Sequence, residues 1–183
     1  MRKALTLSGS IRTGSYNQML QAHMDKRLFE AGFVVTHVDL SDYDMPIFNE
    51  DLEPDHVPET ARTLADLIRE HEIIFVATPE YNGSLPPLLV NTFAWLSRIP
   101  PSVFRGRTWG IGGVSSGKYG TVSALSHLRD TISKVGALVV PGMLGIGPAS
   151  EAFDENGNPV EQSVNAKIDQ MITAFKTIQI DRT

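Results

Sequence analysis

The sequence predicts an α/β protein built on a five-stranded parallel sheet with helices on both faces. Three observations carry this. Short apolar runs alternate with helix-period segments along the chain. The central runs are apolar at nearly every residue, as strands covered on both faces require. Five strand–helix units follow one another, and successive parallel strands need such helical crossovers.

Taken in order, Ala4-Leu5-Thr6-Leu7 reads as the first strand. A turn-rich stretch and then a helix follow, with Leu20, Met24 and Leu28 on one face and Gly32 at its end. Phe33–Val38 is the second strand, and Ala61, Leu64, Ala65 and Ile68 form the i, i+3, i+4, i+7 stripe of the second helix. Ile73–Ala77 reads as a central strand, with a helix over about Pro87–Ser97 after it. Trp109–Val114 is the fourth strand, and Leu125, Leu128, Ile132 and Val135 mark the next helix. Leu138–Val140 is the fifth strand, and Val164, Ile168, Met171, Ile172 and Phe175 stripe a closing helix. Asn156-Gly157 marks a turn in a surface excursion. Without linker or repeat, residues 1–183 read as a single domain.

Composition removes several function classes. The chain has no cysteine, so disulfides, iron–sulfur clusters, thiolate metal sites and cysteine nucleophiles are excluded. A redox role therefore needs a bound cofactor. The formal charge of −5 argues against nucleic acid and anionic membranes as partners. The acidity crowds into Asp39, Asp42, Asp44, Glu50, Asp51, Glu53 and Asp55, which reads first as a solvated loop. The opening apolar stretch is too short for a signal sequence, so a cytoplasmic location is expected. His23, His37, His56, His71 and His127 show no metal-ligand spacing, and no metal is expected.

In sheets of this kind ligands bind beyond the carboxyl ends of the strands, where strand order reverses. Three loops leave such ends. Ser8–Asn17 packs Ser8, Ser10, Thr13, Ser15 and Tyr16, two glycines and Arg12 against a helix N-terminus. Exposed amides, hydroxyls and a forked cation are what a phosphate monoester needs. A helix cap, the plain alternative, explains one hydroxyl and not five. The second loop, Thr78–Pro87, offers backbone donors, an aromatic, an amide and rigid prolines, suited to a flat heteroaromatic ring. It also reads as an ordinary entry to a helix with proline in its first turn.

The third loop, Gly113–Gly120, contains the G-x-S-x-G pattern of a hydrolase nucleophile elbow at Ser115. Its partners are missing: His127 is the one downstream histidine, on the very next helix, and no acid stands between them. The spacing of Gly9 and Gly14 matches a P-loop, but Ser15-Tyr16 stands where Lys-Ser/Thr belongs. A dinucleotide fingerprint and the aspartates of a phosphorelay receiver are also absent.

At these loops the chain resembles the NADPH-dependent FMN reductase family, flavodoxin-like enzymes that include chromate, quinone and azo-dye reductases. Ser10–Asn17 resembles its phosphate loop, Pro79-Glu80-Tyr81-Asn82 its isoalloxazine loop, and Asn91–Arg98 the helix beyond. Pro46–Asp51 is similar to the loop after the family's second strand. The chain departs from the usual pattern at Pro87, Val90, Ala94 and Thr121, on the acceptor side and at the subunit edge.

The resemblance implies a doubly wound flavodoxin-like fold and an NAD(P)H oxidoreductase. It implies FMN as cofactor and NADPH or NADH as donor. Ser10, Arg12, Ser15, Tyr16, Asn17, Pro79, Glu80, Tyr81, Asn82, Ser115, Ser116 and Gly117 are the implied cofactor-binding residues. No side chain need act as acid or base, so no catalytic residue is named. Donor and acceptor would use one site in turn. The acceptor would be a small molecule: a flavin, quinone, azo or nitro compound, or metal oxyanion. A homodimer or homotetramer would complete the pocket. The alternative is a flavodoxin-like electron carrier without reductase activity.

Overall fold

The structure, a computed structural model, describes residues 1–52 and 57–180. Glu53 and Asp55 of the acidic segment, and His56, lie outside the described residues. The elements are β1 (Lys3–Ser8), α1 (Tyr16–Glu30), β2 (Val34–Val38), α2 (Glu59–Arg69), β3 (Ile73–Ala77), α3 (Pro87–Ser97), β4 (Thr108–Val114), α4 (Val122–Lys134), β5 (Leu138–Val139), β6 (Leu144–Ile146) and α5 (Gln162–Thr177). The strands are parallel in the order β2-β1-β3-β4-β5, the expected flavodoxin-like doubly wound sheet.

Strand alternation divides the core in two. Leu5, Leu7, Ile74, Val76, Trp109 and Ile111 face α2, α3 and α4, where Leu64, Phe93, Trp95 and Leu128 pack on them. Ala4, Ile73, Phe75 and Ala77 face α1 and α5, meeting Leu20, Met24, Ile168 and Phe175. β4 is thinned on that second face. A Cβ at Gly110 would come within 2.5 Å of the Phe175 ring, so glycine lets α5 sit down on the sheet.

The fifth strand differs from the expected single run Leu138–Val140. Its place is filled by two pieces, β5 opposite Thr108–Trp109 and β6 opposite Gly112–Val114. Pro141, which has no N–H, and Gly142, at φ 90°, interrupt the line between them. The acidic segment is also better tethered than a solvated loop. Asn91 Oδ1 accepts from Phe48 N at 2.7 Å, and Trp95 Nε1 donates to Pro46 O at 2.7 Å. Arg98 reaches Glu50 at 3.1 Å and lies over the Phe48 ring.

The sheet register places the site. Ser8 stands opposite Ala77, and Ala77 opposite Gly112, so β1 and β3 end at one level and β4 runs two residues beyond it. Strand order reverses between β1 and β3, and the three singled-out loops leave the sheet side by side.

Candidate functional site

The loop after β1 is built from its own polar groups. Ser8 Oγ accepts from Ser10 N at 3.2 Å, and Ser15 N donates to Arg12 O at 3.1 Å, closing a tight turn. Gly14 holds φ 68° in that turn, a conformation that disfavours a side chain. Ser15 caps α1 by accepting from Asn17 N at 3.2 Å. The other first-turn amides have no intrahelical acceptor and lie at the loop. The Arg12 guanidinium is exposed and folds over the turn, donating to Thr13 O at 3.0 Å and Gly14 O at 3.3 Å.

Asn17 is buried, and both ends of its amide meet the Val114 backbone. Nδ2 donates to Val114 O at 3.0 Å, and Oδ1 accepts from Val114 N at 2.9 Å. The sequence groups Asn17 with the ligand contacts. In the fold its side chain fastens the start of α1 to the end of β4.

The loop after β3 carries a hairpin turn that the sequence reading leaves out. Tyr81 and Ser84 exchange two backbone bonds of 3.0 Å around Asn82-Gly83, both at positive φ. Asn-Gly is the residue pair such a turn favours. Asn82 thereby has a turn-forming role besides the one the resemblance implies. Glu80 Oε2 accepts from Ala124 N in α4 at 3.0 Å, and Ser84 Oγ meets His127 Nδ1 at 3.1 Å. The histidine that a hydrolase at Ser115 would need is thus engaged by a serine of another loop.

The loop after β4 is less enclosed. Ser115 is tied at the sheet end by its N–H to Ile146 O at 3.2 Å and by its carbonyl to Ala149 N at 2.9 Å. Beyond it Ser116, Gly117, Lys118 and Tyr119 are exposed, Tyr119 at 82%.

These loops enclose a cleft of about 270 Å³ lined by Ser10, Arg12, Ser15, Tyr16, Asn17, Pro79, Glu80, Tyr81, Ser115 and Ser116. Val114 and Ala149, which the sequence reading did not single out, complete its wall. Glu80, Ser115 and Ser116 also line a neighbouring cleft of about 620 Å³, shared with Asn82, Gly117, Lys118 and Tyr119. All twelve residues implied by the resemblance therefore lie at two adjoining clefts beyond the carboxyl ends of the strands.

The donor set fits FMN. One end offers hydroxyls, first-turn amides and a guanidinium for a phosphate. The other offers a slot between two backbone-rich loops for a flat ring.

Fold and cleft define a flavodoxin-like α/β protein of the nucleotide-binding class. Comparison with known proteins is more specific: the sequence profile of the NADPH-dependent FMN reductase family matches residues 2–151, and the chain belongs to that family. It is 34% identical over 177 residues to an NAD(P)H-dependent FMN reductase of Pseudomonas aeruginosa, covering 95% of this chain and 93% of that protein. It is 30% identical over 176 residues to the quinone reductase of Escherichia coli K12, covering 94% and 93% respectively. Among solved structures, the flavoenzyme NAD(P)H:(acceptor) oxidoreductase FerB of Paracoccus denitrificans superposes with a TM-score of 0.81 at 25% identity. That match covers 96% of this chain and 95% of FerB. The chain is accordingly an oxidoreductase of the FMN- and NAD(P)H-dependent kind. Among the described residues no helix is long and apolar enough to cross a membrane.

Proposed function

We propose that the cleft holds FMN and that NAD(P)H and a small quinone or flavin acceptor take turns above its ring. The observation that supports this most is the convergence of three dissimilar loops on one cleft, one suited to phosphate and two to a planar ring. Ser10, Ser15, Tyr16 and the α1 amides would receive the phosphate, with Arg12 turning outward from its own loop. Pro79, Glu80, Tyr81 and Asn82 would form one wall of the ring slot, and Ser115, Ser116 and Gly117 the other. Asn17 contributes by holding the phosphate end of the cleft to the strand end that carries the Ser115 wall.

Bound FMN supplies the hydride and electron transfer; the chain's residues bind, orient and shield. The exposed Lys118–Tyr119 tip leaves the outer cleft open for exchange of donor and acceptor. Quinone acceptors suit an open cleft of this size, and relatives named as quinone reductases support that choice.

A homodimer or homotetramer in the cytoplasm belongs to the same reading. Ile47 is 87% exposed and Val90 52% exposed. Each is adjacent in sequence to a residue of the Phe48–Asn91 hydrogen bond, so both exposed apolar residues belong to segments that this bond joins.

The test is a visible spectrum of the purified protein before and after anaerobic NADPH, followed by steady-state kinetics at varied acceptor. The expected outcome is a yellow protein bleached within seconds, with parallel double-reciprocal lines. Stable colour under NADPH would make the chain an electron carrier. Intersecting lines would overturn the shared-site order.

A further inference from the structure

The loop after β3 and helix α4 are joined by two side-chain bridges, and one fills a place that α4's own residue leaves empty. First-turn amides of a helix need outside acceptors, and the side chain of the preceding residue usually provides one. For α4 that residue is Thr121. Its backbone, at φ −97° and ψ 40°, lies outside the extended region of a capping residue, and its side chain makes no capping bond. Its Oγ1 is buried without a hydrogen-bond partner. Ala124 N–H instead donates 3.0 Å to Glu80 Oε2, a carboxylate from another loop. Four residues on from Glu80, Ser84 Oγ meets His127 Nδ1 at 3.1 Å and repeats the connection one turn along α4.

A carboxylate suits that position, because the amide bond is charge-assisted and the helix N-terminus favours negative charge. Glu80 also lines both clefts. The loop that forms the opposite wall runs directly into α4, so an anchor on the first turn of α4 fixes one wall against the other.

We propose that Glu80 is a positioning residue: its carboxylate, fastened to the Ala124 amide, sets the gap between the two loops that grip a flat ring. The proposal rests on the FMN reading. It differs from that reading in giving the carboxylate a partner in the protein and no contact with the flavin.

The test measures FMN and riboflavin affinity by fluorescence quenching, together with hydrogen exchange of the Ala124 amide. Glu80→Ala should weaken both flavins by the same factor, about tenfold, and speed Ala124 exchange. Glu80→Asp keeps the charge but lacks the reach, and should behave like Glu80→Ala. Glu80→Gln, whose amide oxygen can still accept from Ala124, should recover most of the affinity. Should Glu80→Ala fail to fold, the Asp and Gln pair carries the comparison alone. Full affinity in Glu80→Asp, or Glu80→Gln as weak as Glu80→Asp, overturns the proposal. So does unchanged flavin affinity alongside faster Ala124 exchange. A parent chain that binds neither flavin overturns the FMN reading and this proposal with it; slow Ala124 exchange would then show the bridge in a different role.

Discussion

The loops after β1 and β4 face each other across the same cleft but are held by different means. The first is closed by buried serines, a capped helix and the two-ended Asn17 amide. The second is tied at Ser115, and from Ser116 to Tyr119 its side chains stand in solvent. A phosphate is the same in every turnover and suits a preformed cradle, since preorganisation reduces the ordering cost of binding. In the proposed reading donor and acceptor differ in shape and alternate, so the side that meets them gains from being open.

The largest expected effect would break this comparison at its joint. Asn17→Ala strands the Val114 N–H and C=O, each costing about 1–3 kcal/mol when buried unpaired. For a chain of this size, a loss of roughly 3 kcal/mol lowers the melting temperature by about 6–12 °C. Calorimetry of the variant should show that drop. A melting temperature within a degree or two of the parent would mean that the two loops do not depend on each other.

Arg12→Ala sharpens the comparison on the rigid side. If Arg12 turns to the phosphate, its loss removes a charge-assisted bond of about 1.5–3 kcal/mol, or roughly ten- to a hundredfold in FMN affinity. Riboflavin, lacking the phosphate, should lose little. Equal losses for the two ligands would move the phosphate away from this loop.

The smallest effect lies behind the rigid loop. His23 is buried on α1 with Nε2 unpartnered, and its pKa is lowered from 6.5, chiefly by burial and then by Arg27 and Lys26. The folded protein therefore resists protonating it, while the unfolded chain takes up a proton near pH 6.5. Stability from this group is fully present above pH 6.5 and is lost as pH falls from there toward the lowered folded value. Denaturant midpoints should fall over that window in the parent and fall less steeply in His23→Gln. Identical slopes would show that His23 does not contribute.

Much of the fold was legible because periodicity reports burial directly. Ile73–Ala77 and the stripe Ala61, Leu64, Ala65, Ile68 appear in the structure as read. β6 was not legible: Leu144-Gly145-Ile146 is too short for a period and lies among glycines and prolines. The clustering of the loops followed from strand ends, but the partners of their side chains did not. Nothing in one sequence pairs Asn17 with Val114 or Glu80 with Ala124, since both contacts join distant segments and end on backbone atoms. The Tyr81–Ser84 turn did have a local signal, Asn82-Gly83, overshadowed by the chemical interest of the surrounding loop.

The break between β5 and β6 also bears on self-association. A long exposed strand edge is a template for pairing with another chain, and short or proline-interrupted edges resist it. On this side of the sheet the outermost backbone comes in pieces of two and three residues with Pro141 between them, so no continuous ladder is on offer. The opposite edge is β2, five residues unbroken from Val34 to Val38, with Val34 42% exposed. Protection against unwanted sheet-to-sheet growth is therefore one-sided, and the edge left to manage is the one farthest from β6.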